Sequence, residues 1–116
     1  MSKRVLFLFN PRSGKGKIKE NLADIIDVMV KAGYEVMVYT TQSAGDAVQK
    51  ARTEAGNYDR IICSGGDGTL DEVVTGVMAS GISVPIGYIP AGSTNDFGNS
   101  LGIGSDMVQA AKAFPL

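Results

Sequence analysis

The chain alternates between short unbroken apolar runs and longer stretches in which apolar residues recur every three or four positions. Val5-Leu6-Phe7-Leu8-Phe9 is the first such run, and Ile18, Leu22, Ile25, Ile26, Met29 and Val30 the first spaced set. An unbroken run of this length suits a strand covered on both faces, and the spaced set an amphipathic helix. Gly33 follows Ala32 where a C-terminal cap falls. Tyr34 to Thr40 reads as the second strand. Ser43, with Asp46 three positions later, resembles a capping box ahead of the stripe Ala44, Ala47, Val48 and Ala51, which Gly56 and Asn57 close. Tyr58 to Cys63 predicts a third strand. A third helix carries Leu70, Val73, Val74, Val77 and Met78 up to Gly81, and a fourth strand runs from Val84 to Ile89 before Pro90. Ser105 opens a weaker last helix with Met107, Val108, Ala110 and Ala111.

Repeated strand-then-helix units predict an α/β fold: a three-layer, Rossmann-like parallel sheet with helices on both faces, joined by right-handed crossovers. The spacing leaves the strand order open. Polar loops rich in glycine or bearing proline follow strands one, three and four, so all three gather at the carboxyl edge of one sheet, where such folds bind ligands.

Composition narrows the function. At 116 residues, 44% apolar and 20% charged, the chain has the content of one globular domain with a real core. A net charge of −1 gives no support for a nucleic-acid partner. Histidine is absent, which removes the commonest neutral-pH base and the usual catalytic triads. The lone Cys63 excludes an intrachain disulfide or a multi-cysteine metal site and reads as a buried strand residue. No apolar stretch reaches membrane-spanning length, and Met1 to Arg4 lead straight into a strand, so a cytoplasmic protein is expected.

The chemistry concentrates in the loops. Ser64-Gly65-Gly66-Asp67-Gly68-Thr69 follows Ile61-Ile62-Cys63 and precedes a helix. Glycines there let backbone approach a bound group, and the acid between them suggests a polyphosphate site with a metal-associated carboxylate. Asp67 is the metal-linked and catalytic candidate, as direct ligand, ligand through water, or activator of an incoming hydroxyl. Asp71 and Glu72, in the first turns of the next helix, also suit the helix dipole alone. The first loop, Asn10 to Lys17, opens a helix, and Ser13 and its lysines add donors for an anion. Arg12, Lys15, Lys17 and Lys19 form a local basic run. The loop lacks the Walker A spacing, and Lys19 stands where a dinucleotide fingerprint needs its last glycine, so both of those readings are weak. In the third loop, Gly92 allows a close phosphate approach beside the polar cluster Ser93, Thr94, Asn95 and Asp96, with Phe97 an apolar anchor.

With these motifs together, the chain resembles the diacylglycerol kinase catalytic-domain family, in its bacterial lipid kinase branch. The resemblance rests on Asn10-Pro11-Arg12-Ser13-Gly14, on Gly65 to Thr69 followed by Glu72-Val73-Val74, and on Pro90 to Phe97. Ser93 replaces the family's usual threonine, and Gly98-Asn99 its alanine and arginine. The resemblance implies ATP and Mg2+ as cofactors and a lipid hydroxyl as acceptor, at a membrane surface in the full-length protein. It implies that Asn10, Ser13 and Gly14 line the nucleotide phosphates, with Thr41 a further contact. Gly65, Gly66, Gly68 and Thr69 approach the phosphates, Asp67 serves magnesium or catalysis, and Glu72 lies near the nucleoside end. Gly92 and Ser93 approach nucleotide, while Asn95 and Asp96 organise the site.

The same resemblance makes residues 1–116 the amino-terminal nucleotide-binding domain of a two-domain kinase, with a β-rich carboxyl-terminal domain absent. Such a fragment is expected to be inactive and, with a newly exposed apolar surface, to self-associate. An NAD kinase-like enzyme shares the Gly65 to Thr69 motif and is the alternative enzyme; a non-catalytic nucleotide-binding regulatory domain is the alternative of another class.

Overall fold

The computed structural model describes residues 3–12 and 17–90, without the side chains of Lys17, Asp67 and Pro90. Four strands, β1 (Lys3–Phe9), β2 (Tyr34–Thr40), β3 (Arg60–Gly65) and β4 (Ile86–Pro90), form one sheet in the order β2-β1-β3-β4, with every pairing parallel. Helices α1 (Lys17–Lys31), α2 (Asp46–Glu54) and α3 (Asp67–Ser80) connect them, with a 3-10 turn at Ala55–Asn57 after α2. The expected parallel sheet flanked by helices is therefore present.

Chain direction explains the layering. The connection from β1 to β2 runs one way along the sheet, and those from β2 to β3 and β3 to β4 run the other. Right-handed crossovers of opposite direction must lie on opposite faces. Accordingly, Val5, Phe7, Phe9, Ile62 and Ile89 pack with Ile18, Ile25 and Met29 of α1. Leu6, Leu8, Ile61 and Cys63 pack on the other side with Ala47 and Ala51 of α2 and Val73 and Val77 of α3. β1 is central and covered on both sides, which is why its sequence is apolar without alternation. Phe7, Leu6 and Leu8 are fully buried, and burying each side chain contributes about 1.5–3 kcal/mol.

Three local features depart from the sequence pattern. β3 starts at Arg60 and continues through Ser64 and Gly65, two residues later at each end than expected, because Ser64 pairs with Phe9 and Ile89 and Gly65 with Pro90. Ser43 does not cap α2. The N-cap is Gly45, in a left-handed conformation without a side-chain cap, and Ala44 is exposed rather than part of the buried stripe. On α3 only Val73 and Val77 of the expected stripe are buried, whereas Val74 and Met78 face solvent, Met78 at 76% exposure. The face of α3 one position earlier turns instead to α2. There a Cβ on Gly76 would collide with the carbonyl of Val48 and lie 2.8 Å from Cβ of Ala51. A hydrogen atom at this position is what lets the two helices pack so closely.

Ser43 and Ala44 belong to the β2–α2 loop, Thr41–Gly45. The predicted last helix from Ser105 lies outside the described residues. No helix among those described is long and apolar enough to cross a membrane.

Candidate functional site

All four strands end level with one another. Phe9 pairs with Thr40 and Ser64, and Ser64 with Ile89. The ladder then continues one residue beyond the strands. Asn10 N–H donates to Ser64 O at 3.1 Å, and Thr41 N–H to Phe9 O at 2.9 Å. The first residues of the loops after β1 and β2 are thus placed by the sheet itself. Between β1 and β3 the connections leave in opposite directions, which opens a crevice at the carboxyl ends of the strands.

A cleft of about 320 Å³ occupies this position, lined by Asn10, Arg12, Thr41, Gln42, Ser43, Ala44, Ala47, Gly66, Gly68, Thr69 and Glu72. Six residues singled out in the sequence, Asn10, Thr41, Gly66, Gly68, Thr69 and Glu72, therefore meet on one surface, although they come from three separate segments. Asn10 uses its Oδ1 to accept the Arg12 N–H at 2.9 Å, folding the chain into a tight turn directly after β1. The Arg12 guanidinium has no hydrogen-bond or ion-pair partner among the described residues and is the one cation in the described lining of the cleft.

The glycine motif is split between strand and helix. Gly65 is the buried last residue of β3, with φ 158°, and a Cβ there would stand 2.5 Å from Thr69 Oγ1. Its carbonyl accepts a hydrogen bond from Tyr88 Oη at 2.7 Å, so Gly65 forms the wall behind the cleft. Gly66 is the N-cap of α3 and has no side-chain cap, and Asp67 is the first residue of the helix. A Cβ on Gly66 or Gly68 would meet nothing within 4 Å, so these two present bare backbone to open space. Thr69 is buried, and its N–H already bonds Gly66 O at 3.1 Å. The first amides of a helix have no intrahelical acceptor and carry the positive end of its dipole.

Glu72, one turn into α3, accepts the Gly45 N–H at 3.1 Å and so reaches across to the start of α2. Asp46 stands behind the cleft. Its Oδ2 accepts the Gln42 N–H at 2.7 Å, and Tyr39 Oη lies 3.0 and 2.9 Å from its two oxygens. That hydrogen bond holds the Tyr39 phenol above its ordinary pKa. Cys63 is buried at the centre of β3, and burial pushes its thiol up to about 12, which leaves it protonated and unreactive. Among the described residues no three His, Cys, Asp or Glu gather as a metal cluster.

Sequence reasoning left Gln42, Ser43, Ala44 and Ala47 out of the cleft and treated Arg12 only as part of a basic run. A loop that follows a strand of the same sheet edge was the available signal for the first three. Ser13, Gly14, Gly92, Ser93, Asn95 and Asp96 lie outside the described residues.

The sequence model of the diacylglycerol kinase catalytic domain matches residues 4–115, which spans every element of the cleft. The chain belongs to this family. It is 41% identical over 111 residues to a diacylglycerol kinase of Staphylococcus saprophyticus, covering 95% of this chain and 36% of that protein. It is 44% identical over 111 residues to a diacylglycerol kinase of Staphylococcus aureus, covering 95% and 35%. A crystal structure of a diacylglycerol kinase from Bacillus anthracis str. Sterne superimposes with a TM-score of 0.80 at 33% identity, covering 95% of this chain and 40% of that one. The chain thus spans little more than a third of the length of the curated relatives it matches.

Proposed function

We propose that this chain is the amino-terminal, nucleotide-binding domain of a two-domain kinase that transfers a phosphoryl group from ATP to a lipid hydroxyl. The observation that carries the reading is the cleft at the β1/β3 crevice, where Asn10, Thr41, Gly66, Gly68 and Thr69 converge around the uncapped start of α3.

The donor set fits a polyphosphate. Bare backbone at Gly66 and Gly68 admits close approach, the first amides of α3 supply donors aligned with its dipole, and the Arg12 guanidinium adds a full charge at the rim. Hydroxyls of Thr41, Ser43 and Thr69 and the amide of Asn10 offer further polar groups. Asp67, opening α3, would hold Mg2+ together with phosphate oxygens and water, the usual protein share for this ion. Bound there, the ion would supply neutralisation of the phosphate charge. The chain's own part is to orient the phosphates against fixed amides, which stabilise charge developing in transfer without reorganising. Ser13, Gly14, Gly92, Ser93, Asn95 and Asp96 complete this site in the proposal. A carboxylate acting as general base must take the acceptor's proton; a carboxyl-terminal β-rich domain supplies much of the lipid site and a candidate for that base. The acceptor brings the full-length protein to a membrane surface as a peripheral enzyme.

The test is a Mg-ATP titration of the isotope-labelled chain followed amide by amide. Shifts at Asn10, Thr41 and Gly66 to Glu72 that weaken in Asp67→Asn are expected. No shift in this chain or in the full-length protein overturns the proposal. Turnover of the full-length protein with diacylglycerol, a sphingoid base or NAD then assigns the acceptor, and transfer to NAD alone overturns the lipid reading.

A further inference from the structure

The β2–α2 loop reaches the cleft with Thr41, Gln42, Ser43 and Ala44, and its shape is fixed both by Glu72 of the cleft lining and by groups that stand outside it. Thr41 N–H is held by Phe9 O at 2.9 Å, and Gly45 N–H by Glu72 at 3.1 Å. Between them the Gln42 N–H is held at 2.7 Å by Asp46, which does not line the cleft. Asp46 is in turn fixed by Tyr39 Oη, by its own N–H to Ser43 O at 3.1 Å, and by its place in the first turn of α2. The Tyr39 ring is itself pinned, with Lys50 Nζ 4.6 Å from its centroid. The three-residue spacing from Ser43 that mimics a capping box thus belongs to a different device. A carboxylate at a helix start turns back to grip the loop before it, and a phenol from the preceding strand orients that carboxylate.

We propose that Asp46 is a positioning residue for ligand recognition, acting through the Gln42 amide to hold Gln42 and Ser43 in their places on the cleft wall. This rests on the nucleotide reading above and adds a determinant with no contact to the ligand. Pre-organising a wall lowers the ordering cost of binding, so releasing it weakens affinity without removing any ligand contact. The backbone bond to a carboxylate is of the strong, charge-assisted kind, so its loss matters more than that of an ordinary turn hydrogen bond.

The experiment reads two quantities on the isotope-labelled chain at a temperature where every variant is folded: amide exchange at Gln42, and affinity for Mg-ATP. In Asp46→Ala, exchange at Gln42 rises about tenfold and Mg-ATP binds about tenfold more weakly, the effect of losing one hydrogen bond to a charged group. Exchange within β1 stays unchanged. Asp46→Asn, whose amide oxygen still accepts from the Gln42 N–H, recovers most of the affinity. Faster exchange at Gln42 with undiminished affinity overturns the proposal, as does unchanged exchange. Exchange that rises equally through β1 reduces Asp46 to a contributor to overall stability and also overturns it. In each of these cases the nucleotide reading survives. Cleft amides that ignore Mg-ATP both in this chain and in the full-length protein overturn both.

Discussion

Two arginines stand at opposite ends of β1, Arg4 within the strand and Arg12 beyond it, and are used in opposite ways. Arg4, near the start of the strand, is spent on the fold. Its guanidinium donates to Asn57 O at 3.1 Å and stacks 4.7 Å from the centroid of Tyr58, while its backbone N–H donates to Asp59 at 2.7 Å. Arg12, just past the end of the strand, has a backbone N–H fixed by Asn10 and a side chain with no partner among the described residues. The depressions they border differ in the same sense. The one at the amino edge, of about 190 Å³, is lined by Arg4, Glu35, Val36, Met37 and Tyr58. The larger one at the carboxyl edge combines backbone, hydroxyls and, among the described residues, a single cation. Charge satisfied within the fold is glue; charge without a partner among the described residues is available to a ligand.

The most drastic way to erase this contrast is to lift α3 off α2. Gly76→Val forces a branched side chain against the Val48 carbonyl and Ala51. Overpacking of this kind costs about 1–3 kcal/mol or more. Urea denaturation should register that loss, and the Gly45 amide should lose protection as Glu72 withdraws.

Exchanging the arginines for alanine sharpens the comparison directly. Arg12→Ala should weaken Mg-ATP binding about tenfold, as expected for one charge-assisted contact to phosphate, with the denaturation midpoint unmoved. Arg4→Ala should do the reverse, costing about 1 kcal/mol for a cation–π contact and an exposed hydrogen bond and leaving affinity intact. Calorimetric titration and denaturation of both variants decide it; equal effects on both quantities would dissolve the distinction.

A smaller effect lies in pH. Tyr39 has its phenol raised above 10 by the hydrogen bond to Asp46, with burial and the Asp46 charge adding to it, while Lys50 sits over its ring. A raised pKa means the folded state holds the proton more tightly. The associated stabilisation is complete below about pH 10, the ordinary value for tyrosine, and disappears as pH rises through the folded pKa. A carbon-detected titration of Tyr39 should show this, with Asp46→Ala returning it toward the ordinary value. Smallest of all is the response of Cys63, midway between the two edges. A thiol near 12 should resist maleimide at pH 8 until the chain is unfolded.

How much of this was legible differs by element. β1 declared itself through an apolar run that only a doubly covered strand needs, and α1 through the spacing from Ile18 to Met29, although Val30 of the same expected stripe is exposed. The β3–α3 junction was misjudged by two residues, since serine and glycine read as loop whereas the ladders to β1 and β4 hold them in the sheet. Along α3 the spacing did not distinguish the side facing the sheet from the side facing solvent, so Val74 and Met78 looked buried. Gly66, Gly68 and Thr69 were found because glycine and polar residues at strand ends carry a local signature, and Asn10, Thr41 and Glu72 were assigned to the site through the family resemblance. Asp46 gave a false local signature. Its partners are Tyr39 on the previous strand and the Gln42 backbone, and the matching grip on Gly45 comes from Glu72, 27 residues away.

The ladder bonds from Asn10 to Ser64 and from Thr41 to Phe9 have a consequence for how the molecule comes apart. Up to those two bonds the cleft inherits the cooperativity of the sheet and should open only when the whole domain does. Beyond them, the rim hangs on a few exposed hydrogen bonds to Asp46 and Glu72, and such regions open at far lower free energy. The chain should therefore have two melting hierarchies, a rim that breathes and a base that does not. Loss of ligand affinity on warming would then precede any sign of unfolding.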